Sequence, residues 1–219
     1  MQKINVITID GPSASGKGAL SKAIAKSFQF KLLDSGALYR LYAYLFNMSF
    51  TSNEIADQIT ENVNFILDNK DLSIKYLDND VTDDLRSEII AKTASKFSSQ
   101  KEVRVALFSI QRNFYDGSGL VADGRDMGTV VFNDAKLKVF LTASPEERAK
   151  RRYLELQNRG QEVNMRELMD DIKKRDLKDS SRELSPLFPA EDAHIIDSSN
   201  LSLEEVFSIT ENLIKKEFN

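Results

Sequence analysis

The sequence predicts an α/β fold with a mainly parallel sheet, because short apolar runs alternate along the chain with longer amphipathic segments. Each run is continuously apolar, as is typical of strands buried on both faces of a parallel sheet. The predicted strands are Ile4–Ile9, Phe30–Leu33, Gly119–Asp123, Leu137–Leu141 and Ala193–Asp197. A chain of 219 residues, 41% of them hydrophobic, is long enough for one large core that carries inserted sub-domains.

Helices are predicted in the intervals between these strands. Within Gly18–Phe28, apolar side chains recur four residues apart, and Thr51 with Glu54 has the capping-box pattern of a helix start. The other predicted helices are Ala37–Phe46, Ser87–Phe97, Glu102–Tyr115, a charged helix from Ser144-Pro145-Glu146-Glu147 to about Gln157, a polar helix from about Asn164 to Leu177, and a C-terminal helix capped by Ser202 with Glu205.

One segment between these helices has the pattern of antiparallel strands. Hydrophobicity alternates over Val63–Leu67 and Leu72–Leu77, and turns are predicted at Asp68–Asp71 and Asp78–Asp80. We interpret residues from roughly 62 to 84 as an inserted β-rich sub-domain.

A second departure from the core is a charged two-helix arm at roughly 145–182, broken at Arg159-Gly160. Its arginines are Arg148, Arg151, Arg152, Arg159, Arg166, Arg175 and Arg182. Acidic residues are interleaved with them, and a charge-rich helix is usually a solvated surface. Arginine, however, stays charged and binds phosphate oxygens in a planar fork. The arm is therefore a candidate lid over phosphate groups.

The composition excludes several kinds of site. The chain has no cysteine and one histidine, which rules out disulfides, thiolate or multi-histidine metal sites and cysteine nucleophiles. A net charge of −4 disfavours a protein that coats nucleic acid. No apolar stretch has the length of a membrane span, and the N-terminus has no signal-peptide pattern. We expect a soluble, cytoplasmic monomer without nucleic-acid or membrane partners.

A phosphate-binding motif follows the first predicted strand. Residues 11–17 have the pattern G-x-x-x-x-G-K between a strand and a helix, which is the context that this motif requires. Backbone N–H groups and the helix N-terminus of such a loop attract phosphate, and the lysine contacts the β- and γ-phosphates. The predicted ATP contacts are Gly11, Pro12, Ser13, Ala14, Ser15, Gly16, Lys17, Gly18 and Ala19. Gly18 and Ala19 lack the hydroxyl that usually follows this lysine and ligates Mg²⁺, so one phosphate or metal contact is in doubt.

Four segments, the first of which contains this loop, carry a resemblance that covers essentially the whole chain. They are Ile7–Gly18, Leu33–Arg40, Asp123–Phe132 and Ser144–Arg152. In this order they resemble the bacterial-type cytidylate kinases, a family of phosphate-loop kinases of nucleoside monophosphates. The resemblance implies a P-loop NTPase-type core at about 1–34, 116–144 and 190–219, an NMP-binding region at about 35–115 and a lid at about 145–182. It also implies transfer of the γ-phosphoryl group of ATP, with Mg²⁺, to CMP or dCMP, giving CDP or dCDP and ADP in pyrimidine nucleotide metabolism.

An acceptor site must face the phosphate loop in such an enzyme. Asp34-Ser35-Gly36 begins a predicted helix whose free N–H groups can bind an anion, and Arg40 lies one turn further along. The resemblance implies CMP-phosphate contacts by Ser35, Arg40, Arg125 and Arg182, cytosine contacts by Ser95, Arg104 and Asp126, and ribose contacts by Arg175 and Asp179.

Charge stabilisation is the chemistry that we expect at this site. A phosphate monoester has its second pKa near ~6 and needs no general base as an acceptor, so a chain with one histidine and no cysteine is adequate. The candidate catalytic residues are Lys17, Arg125, Arg148, Arg152, Arg175 and Arg182. Asp123, at a predicted strand end, is expected to orient Mg²⁺ or its waters, and Asp10 is a weaker candidate.

Other functions stay open on the sequence alone. A kinase of another small acceptor, such as shikimate or UMP, would share the loop, although the β-insert and Asp123–Phe132 argue against it. A GTP-binding switch protein would need a guanine-reading N-K-x-D, and Asn69-Lys70-Asp71-Leu72 lacks the final aspartate. A nucleic-acid-binding module is disfavoured by the acidic charge and by the absence of an aromatic–basic platform.

Overall fold

Strands and helices alternate in the computed structural model, which describes residues 3–68, 71–158 and 160–218. The strands are β1 (Ile4–Asp10), β2 (Lys31–Asp34), β3 (Val63–Leu67), β4 (Leu72–Tyr76), β5 (Asn79–Asp80), β6 (Leu120–Gly124), β7 (Ala135–Thr142) and β8 (His194–Asp197). The helices are α1 (Lys17–Phe28), α2 (Ser35–Asn47), α3 (Ser52–Asn62), α4 (Thr82–Leu85), α5 (Glu88–Phe97), α6 (Lys101–Asn113), α7 (Pro145–Asn158), α8 (Met165–Ser180) and α9 (Leu203–Phe218). A π-helical turn, Met127–Val131, follows β6.

The predicted parallel sheet is confirmed. The described residues form a five-stranded sheet in the order β2-β6-β1-β7-β8, and all of its pairs are parallel. In the pairing of β1 with β6, Ile9 lies opposite Asp123 and Asp10 opposite Gly124. The carboxyl ends of parallel strands share one edge of the sheet, which is where ligands bind in such folds.

Apolar side chains cover both faces of this sheet. On one face α2 packs through Leu38, Leu41 and Leu45, each fully buried. On the other face α1 and α9 pack through residues that include Leu20 and Ile24. Fully burying one such side chain stabilises the fold by ~1.5–3 kcal/mol, so both layers hold the strand ends in place. No helix in the described part of the chain is long and apolar enough to cross a membrane.

The predicted antiparallel insert is also present, with a correction at its second turn. β3, β4 and β5 form a small sheet, and Asn79 and Asp80 pair with Tyr76 and Lys75 as strand β5. The prediction of a turn at Asp78–Asp80 is therefore wrong in part, because the chain reverses at Leu77-Asp78. Both of these residues have positive φ (47° and 65°), as a two-residue hairpin turn requires. Asn69 and Lys70 of the first predicted turn lie outside the described residues.

The arm contains two helices as predicted, but α8 continues beyond the predicted end at Leu177 to Ser180. The hydroxyl of Ser180 donates to the carbonyl of Asp176 (2.9 Å), and that of Ser181 donates to the carbonyl of Leu177 (2.6 Å). These bonds satisfy carbonyls of the last turn, which supports the longer helix. Arg159, between the two helices, lies outside the described residues.

Candidate active site

The loop between β1 and α1 has the backbone form of an anion cradle. Gly11 (φ 149°) passes so close to the carbonyl of Leu141 that a Cβ there would clash, and Gly16 (φ 98°) precedes α1 in the left-handed region. The backbone N–H groups of residues 13–16 donate to no acceptor within the described ranges. Free N–H groups at a helix N-terminus attract anions, so this loop is suited to phosphate.

Lys17 lies buried at the start of α1, and its Nζ donates to the carbonyl of Pro12 at 2.8 Å. Burial, reinforced by the guanidinium of Arg125, lowers the pKa of Lys17 to about 7, although Asp123 and Asp10 oppose this shift. The ammonium is therefore poorly neutralised by the protein itself, and a bound anion would favour its charged form.

Two buried carboxylates end the adjacent strands β1 and β6. Burial raises the pKa of Asp10 to about 7 and that of Asp123 to about 6. Asp10 accepts hydrogen bonds from the backbone N–H groups of Met127 (2.9 Å) and Gly128 (2.7 Å), so it holds the π-helical turn. Asp123 faces α1, where a Cβ on Gly18 would lie 3.5 Å from its Oδ2.

The chemistry of this edge fits a magnesium ion that arrives with nucleotide. No group of three or more His, Cys, Asp or Glu side chains that could hold a metal occurs in residues 3–68, 71–158 and 160–218. Gly18 and Ala19 are exposed and carry no side-chain oxygen. Mg²⁺ held mainly by phosphates and waters needs only one or two protein carboxylates, and Asp123 supplies one.

Cations converge on the cleft above the phosphate loop. Arg125 and Arg175 disfavour the charge on Lys17, and Arg40 and Arg152 disfavour the charge on Arg175. Neither Arg40 nor Arg175 forms a hydrogen bond or ion pair with another described residue. Like charges repel when they share a cleft, so this group is suited to a polyanionic ligand.

Arg148 is buried and connects the arm to the loop. It donates to the carbonyls of Ala143 (2.9 Å) and Ser13 (3.4 Å). Its two terminal nitrogens also bind both carboxylate oxygens of Asp176, at 2.9 and 2.5 Å, which joins α7 to α8. The hydrogen bonds of Arg148 are thus directed at protein groups in this structure.

Arg151, which the sequence reasoning did not select, contacts the loop from the same helix. It donates to the carbonyl of Ser15 (3.0 Å) and to both the hydroxyl (3.0 Å) and the carbonyl (2.6 Å) of Ser198. The signal for it was its spacing, since Arg148 and Arg151 are three residues apart and point to the same side of a helix. Arg152 instead pairs with Glu88 of α5 and with Glu155, each at 2.9 Å.

The N-terminus of α2 forms the near side of the acceptor region. Asp34 caps this helix by accepting from the N–H of Ala37 at 2.8 Å. The buried hydroxyl of Ser35 accepts a 2.9 Å hydrogen bond from Nε2 of Gln111. Gln111 was missed by the sequence reasoning, although a glutamine on the apolar face of the predicted helix Glu102–Tyr115 is itself a signal.

Asp126 and Arg104 form a buried ion pair further along the cleft. Nη2 of Arg104 contacts Oδ2 of Asp126. Nη1 of Arg104 donates to the carbonyl of Ser98 at 3.0 Å. No donor among the described residues contacts Oδ1 of Asp126, which leaves that oxygen able to accept. Tyr39 is buried beside this pair, and its burial raises the pKa of the phenol to about 12.

α8 completes the cleft with a row of polar side chains. Asp179 accepts from Nε of Arg125 at 3.0 Å and lies 3.5 Å from Nη2 of Arg182. Although burial opposes it, these two guanidiniums hold the pKa of Asp179 below its usual range. Lys178, a further residue missed from the sequence, donates to the carbonyl of Ser95 at 2.7 Å and to its hydroxyl at 3.3 Å.

The predicted site residues therefore lie in two adjoining groups along one cleft. The group at the loop consists of Gly11, Pro12, Ser13, Ala14, Ser15, Gly16, Lys17, Gly18, Ala19, Asp123 and Arg148. The group opposite consists of Ser35, Arg40, Ser95, Arg104, Arg125, Asp126, Arg175, Asp179 and Arg182. Arg152 contacts Glu88 of α5 and disfavours the charge on Arg175, so it lies with the group opposite.

A parallel sheet whose central strand leads through a G-x-x-x-x-G-K loop into a helix, with a second cationic site opposite, defines a P-loop NTPase-type kinase. The sequence profile of the cytidylate kinases ("Cytidylate kinase") matches residues 7–216. The chain belongs to the cytidylate kinase family.

Curated relatives are similar over nearly their full length. The chain is 46% identical over 208 residues to the cytidylate kinase of Proteus mirabilis (strain HI4320), covering 93% of this chain and 92% of the relative. It is 47% identical over 206 residues to that of Citrobacter koseri (strain ATCC BAA-895), covering 92% and 91%. It is 46% identical over 216 residues to that of Caldicellulosiruptor saccharolyticus, covering 94% and 93%.

Proposed function

We propose that this protein transfers the γ-phosphoryl group of ATP to CMP or dCMP, giving CDP or dCDP and ADP, in pyrimidine nucleotide metabolism. The observation that carries the proposal is the cluster of cations between the phosphate loop and the acceptor region. Lys17 is buried beside Arg125, and Arg40 and Arg175 have no partner among the described residues. Such a cluster is stabilised by the phosphates of two nucleotides that meet end to end.

We assign the two ends of the cleft to the two nucleotides. Residues 11–19 bind the ATP phosphates through backbone N–H groups and the Lys17 ammonium. At the other end, Ser35 and Arg40 bind the CMP phosphate, and Arg175 with Asp179 binds the ribose hydroxyls. Ser95, Arg104 and Asp126 bind the cytosine base, because a carboxylate accepts from its amine and a guanidinium donates to its acceptors.

In the phosphoryl transfer, an oxygen of the CMP phosphate attacks the γ-phosphorus of ATP. The bond from that phosphorus to the β,γ-bridging oxygen breaks, and ADP leaves with the bond's electrons. Lys17, Arg125 and Arg182 stabilise the charge that spreads over the equatorial oxygens, and no general base is required. Mg²⁺ bound with ATP would neutralise phosphate charge, with Asp123 orienting it or its waters.

We further propose that residues of about 35–115 form the NMP-binding region and that residues of about 145–182 act as a lid. Arg148 keeps the lid attached to the loop through the carbonyl of Ser13. Arg152, now paired with Glu88, has a side chain that is 28% exposed, which allows it to exchange that carboxylate for a phosphate. Closure of this kind excludes water and strengthens the charge interactions with the transition state.

We also propose that the enzyme acts as a monomer in the cytoplasm. Size-exclusion chromatography with light scattering at micromolar concentration measures this directly.

The test of the proposed function is a coupled phosphoryl-transfer assay. ATP–Mg²⁺ is supplied with CMP, dCMP, UMP, AMP or GMP in turn, and Lys17→Met serves as the inactive control. We expect CMP and dCMP to be the best acceptors by kcat/KM. Preference for another acceptor, or tight GTP binding without any acceptor nucleotide, would contradict the proposal.

A further inference from the structure

Lys178 links the arm to the part of α5 that carries Ser95. Its Nζ lies 2.7 Å from the carbonyl oxygen of Ser95 and 3.3 Å from the Ser95 hydroxyl. That carbonyl accepts from no backbone N–H within the described ranges, because the N–H of Ser99 bonds to Lys96 instead. Among the described residues this carbonyl otherwise accepts only from the hydroxyl of Ser98. Lys178 therefore adds a second donor to a carbonyl at a helix end and engages the Ser95 hydroxyl with the same ammonium.

The chemistry of the ammonium decides the polarity of the Ser95 hydroxyl. A lysine ammonium has three donors and no acceptor, so the serine oxygen must accept from it. The hydroxyl proton is then directed away from Lys178, and it is donated to no described residue. Lys178 thus occupies one of the two lone pairs of the serine oxygen, which biases the hydroxyl toward donating to a further partner.

The surroundings of Ser95 contain the groups already assigned to the base. The hydroxyl of Ser98 donates to the carbonyl of Ser95 at 3.1 Å, and the carbonyl of Ser98 accepts from Arg104 at 3.0 Å. Arg104 in turn pairs with Asp126. The oriented hydroxyl and the ion pair therefore belong to one hydrogen-bonded unit at the end of α5.

We infer that Lys178 is a positioning residue for base selection, acting through the hydroxyl of Ser95 to favour cytosine over uracil. This inference rests on the proposed function. The unprotonated ring nitrogen N3 of cytosine accepts a hydrogen bond, whereas uracil carries an N–H at the same position. A hydroxyl held as a donor suits the first base and opposes the second, and a hydroxyl that is free to rotate suits both.

If Lys178 had a purely structural role, its loss would lower the rates with CMP and UMP together and leave their ratio unchanged. Arg182, on the same helix, donates to the carbonyl of Ser98 at 3.4 Å and so keeps a second link between α8 and α5. Loss of Lys178 therefore leaves the two helices in contact while releasing the hydroxyl. Lys174, exposed on α8 and without a hydrogen bond or ion pair in the described chain, provides a matched control.

The experiment compares kcat/KM for CMP and for UMP in Lys178→Met, Lys178→Arg and Lys174→Met. We expect Lys178→Met to lower the CMP:UMP ratio about five- to tenfold, which is the range for one misdirected hydrogen bond. Lys178→Arg should keep most of the CMP:UMP ratio of the unmodified enzyme, because arginine is also a cationic donor. Lys174→Met should leave the ratio unchanged. The KM for ATP stays constant in all three variants.

A second set of variants isolates the path through Ser95. In a Ser95→Ala background, adding Lys178→Met should lower the ratio no further, since the hydroxyl on which it acts is gone. An unchanged CMP:UMP ratio in Lys178→Met, with both rates falling together, would overturn the inference. A fall in the ratio on adding Lys178→Met to Ser95→Ala that is as large as in the unmodified enzyme would also overturn it. Failure of the unmodified enzyme to phosphorylate CMP would instead overturn the proposed function. Should Lys178→Met not fold, Lys178→Gln replaces it, with a smaller expected fall because its amide can still donate.

Discussion

Asp126→Asn separates base recognition from catalysis, because the change removes a charge and adds a donor without altering the shape of the side chain. Asp126 is 3% exposed, and its Oδ2 is engaged by Arg104. The other oxygen, Oδ1, is the atom that we propose accepts from the cytosine amine. An asparagine at this position can instead donate to the carbonyl that uracil carries in place of that amine.

The expected magnitude follows from the burial of the pair. Leaving a buried polar group unpaired costs ~1–3 kcal/mol, so the CMP:UMP ratio of kcat/KM should fall about tenfold to a hundredfold. The charge of Arg104, whose side chain is 12% exposed, also loses its partner. Breaking a buried ion pair lowers the free energy of unfolding by ~3–5 kcal/mol. Because Arg104 keeps its hydrogen bond to the carbonyl of Ser98, we expect a loss at the lower end of this range. A loss of ~3 kcal/mol lowers the melting temperature by about 6–12 °C, so the assay is run at 20 °C.

The assay measures kcat/KM for CMP and UMP, together with ATP binding in the absence of an acceptor. Asp134→Asn is the matched control, because Asp134 forms a bidentate pair with Arg112 (2.8 and 3.2 Å) outside the cleft. We expect that control to lose stability without any change in the CMP:UMP ratio, and we expect ATP binding to be the same in both variants. The reasoning is refuted if Asp126→Asn lowers both rates in equal proportion, since Asp126 would then serve phosphate, metal or fold rather than the base.

Three further outcomes are expected at the donor end of the cleft. Lys17→Met should keep the fold and lower kcat by about 10²–10³-fold or more, and a near-normal kcat would remove Lys17 from the mechanism. Because burial lowers the pKa of Lys17 to about 7, binding of ATP–Mg²⁺ at pH 8 should take up a large part of one proton. Below pH 7, where Lys17 is already charged, this proton uptake should fade. Calorimetry in two buffers of different ionisation enthalpy measures the uptake. Proton uptake that persists in Lys17→Met would contradict its assignment to the Lys17 ammonium. Ala19→Thr adds an exposed hydroxyl in the first turn of α1, so the KM for ATP should stay the same or fall, and a severalfold rise would mean that the loop has repacked.

The order of strands and helices was predictable because its causes are local. A continuous apolar run marks a strand buried on two faces, and a four-residue repeat marks a helix, whatever lies elsewhere in the chain. The phosphate loop was predictable for the same reason, since its glycines and Lys17 act through the backbone of a single turn. Gly16 shows the point: its φ of 98° lies in the left-handed region that favours glycine, and this requirement is set by the turn itself.

The tertiary structure decided which partner each polar side chain takes. Arg148 and Arg152 share a helix, yet Arg148 is buried against Asp176 while Arg152 reaches Glu88. Lys178 meets Ser95 from 83 residues away along the chain. Side-chain pairing of this kind depends on packing distances and on what burial does to a charge, and neither quantity is encoded in local periodicity. The position of the chain reversal at Leu77-Asp78 was also decided by tertiary structure, because the pairing of β5 with β4 fixed where the turn had to lie.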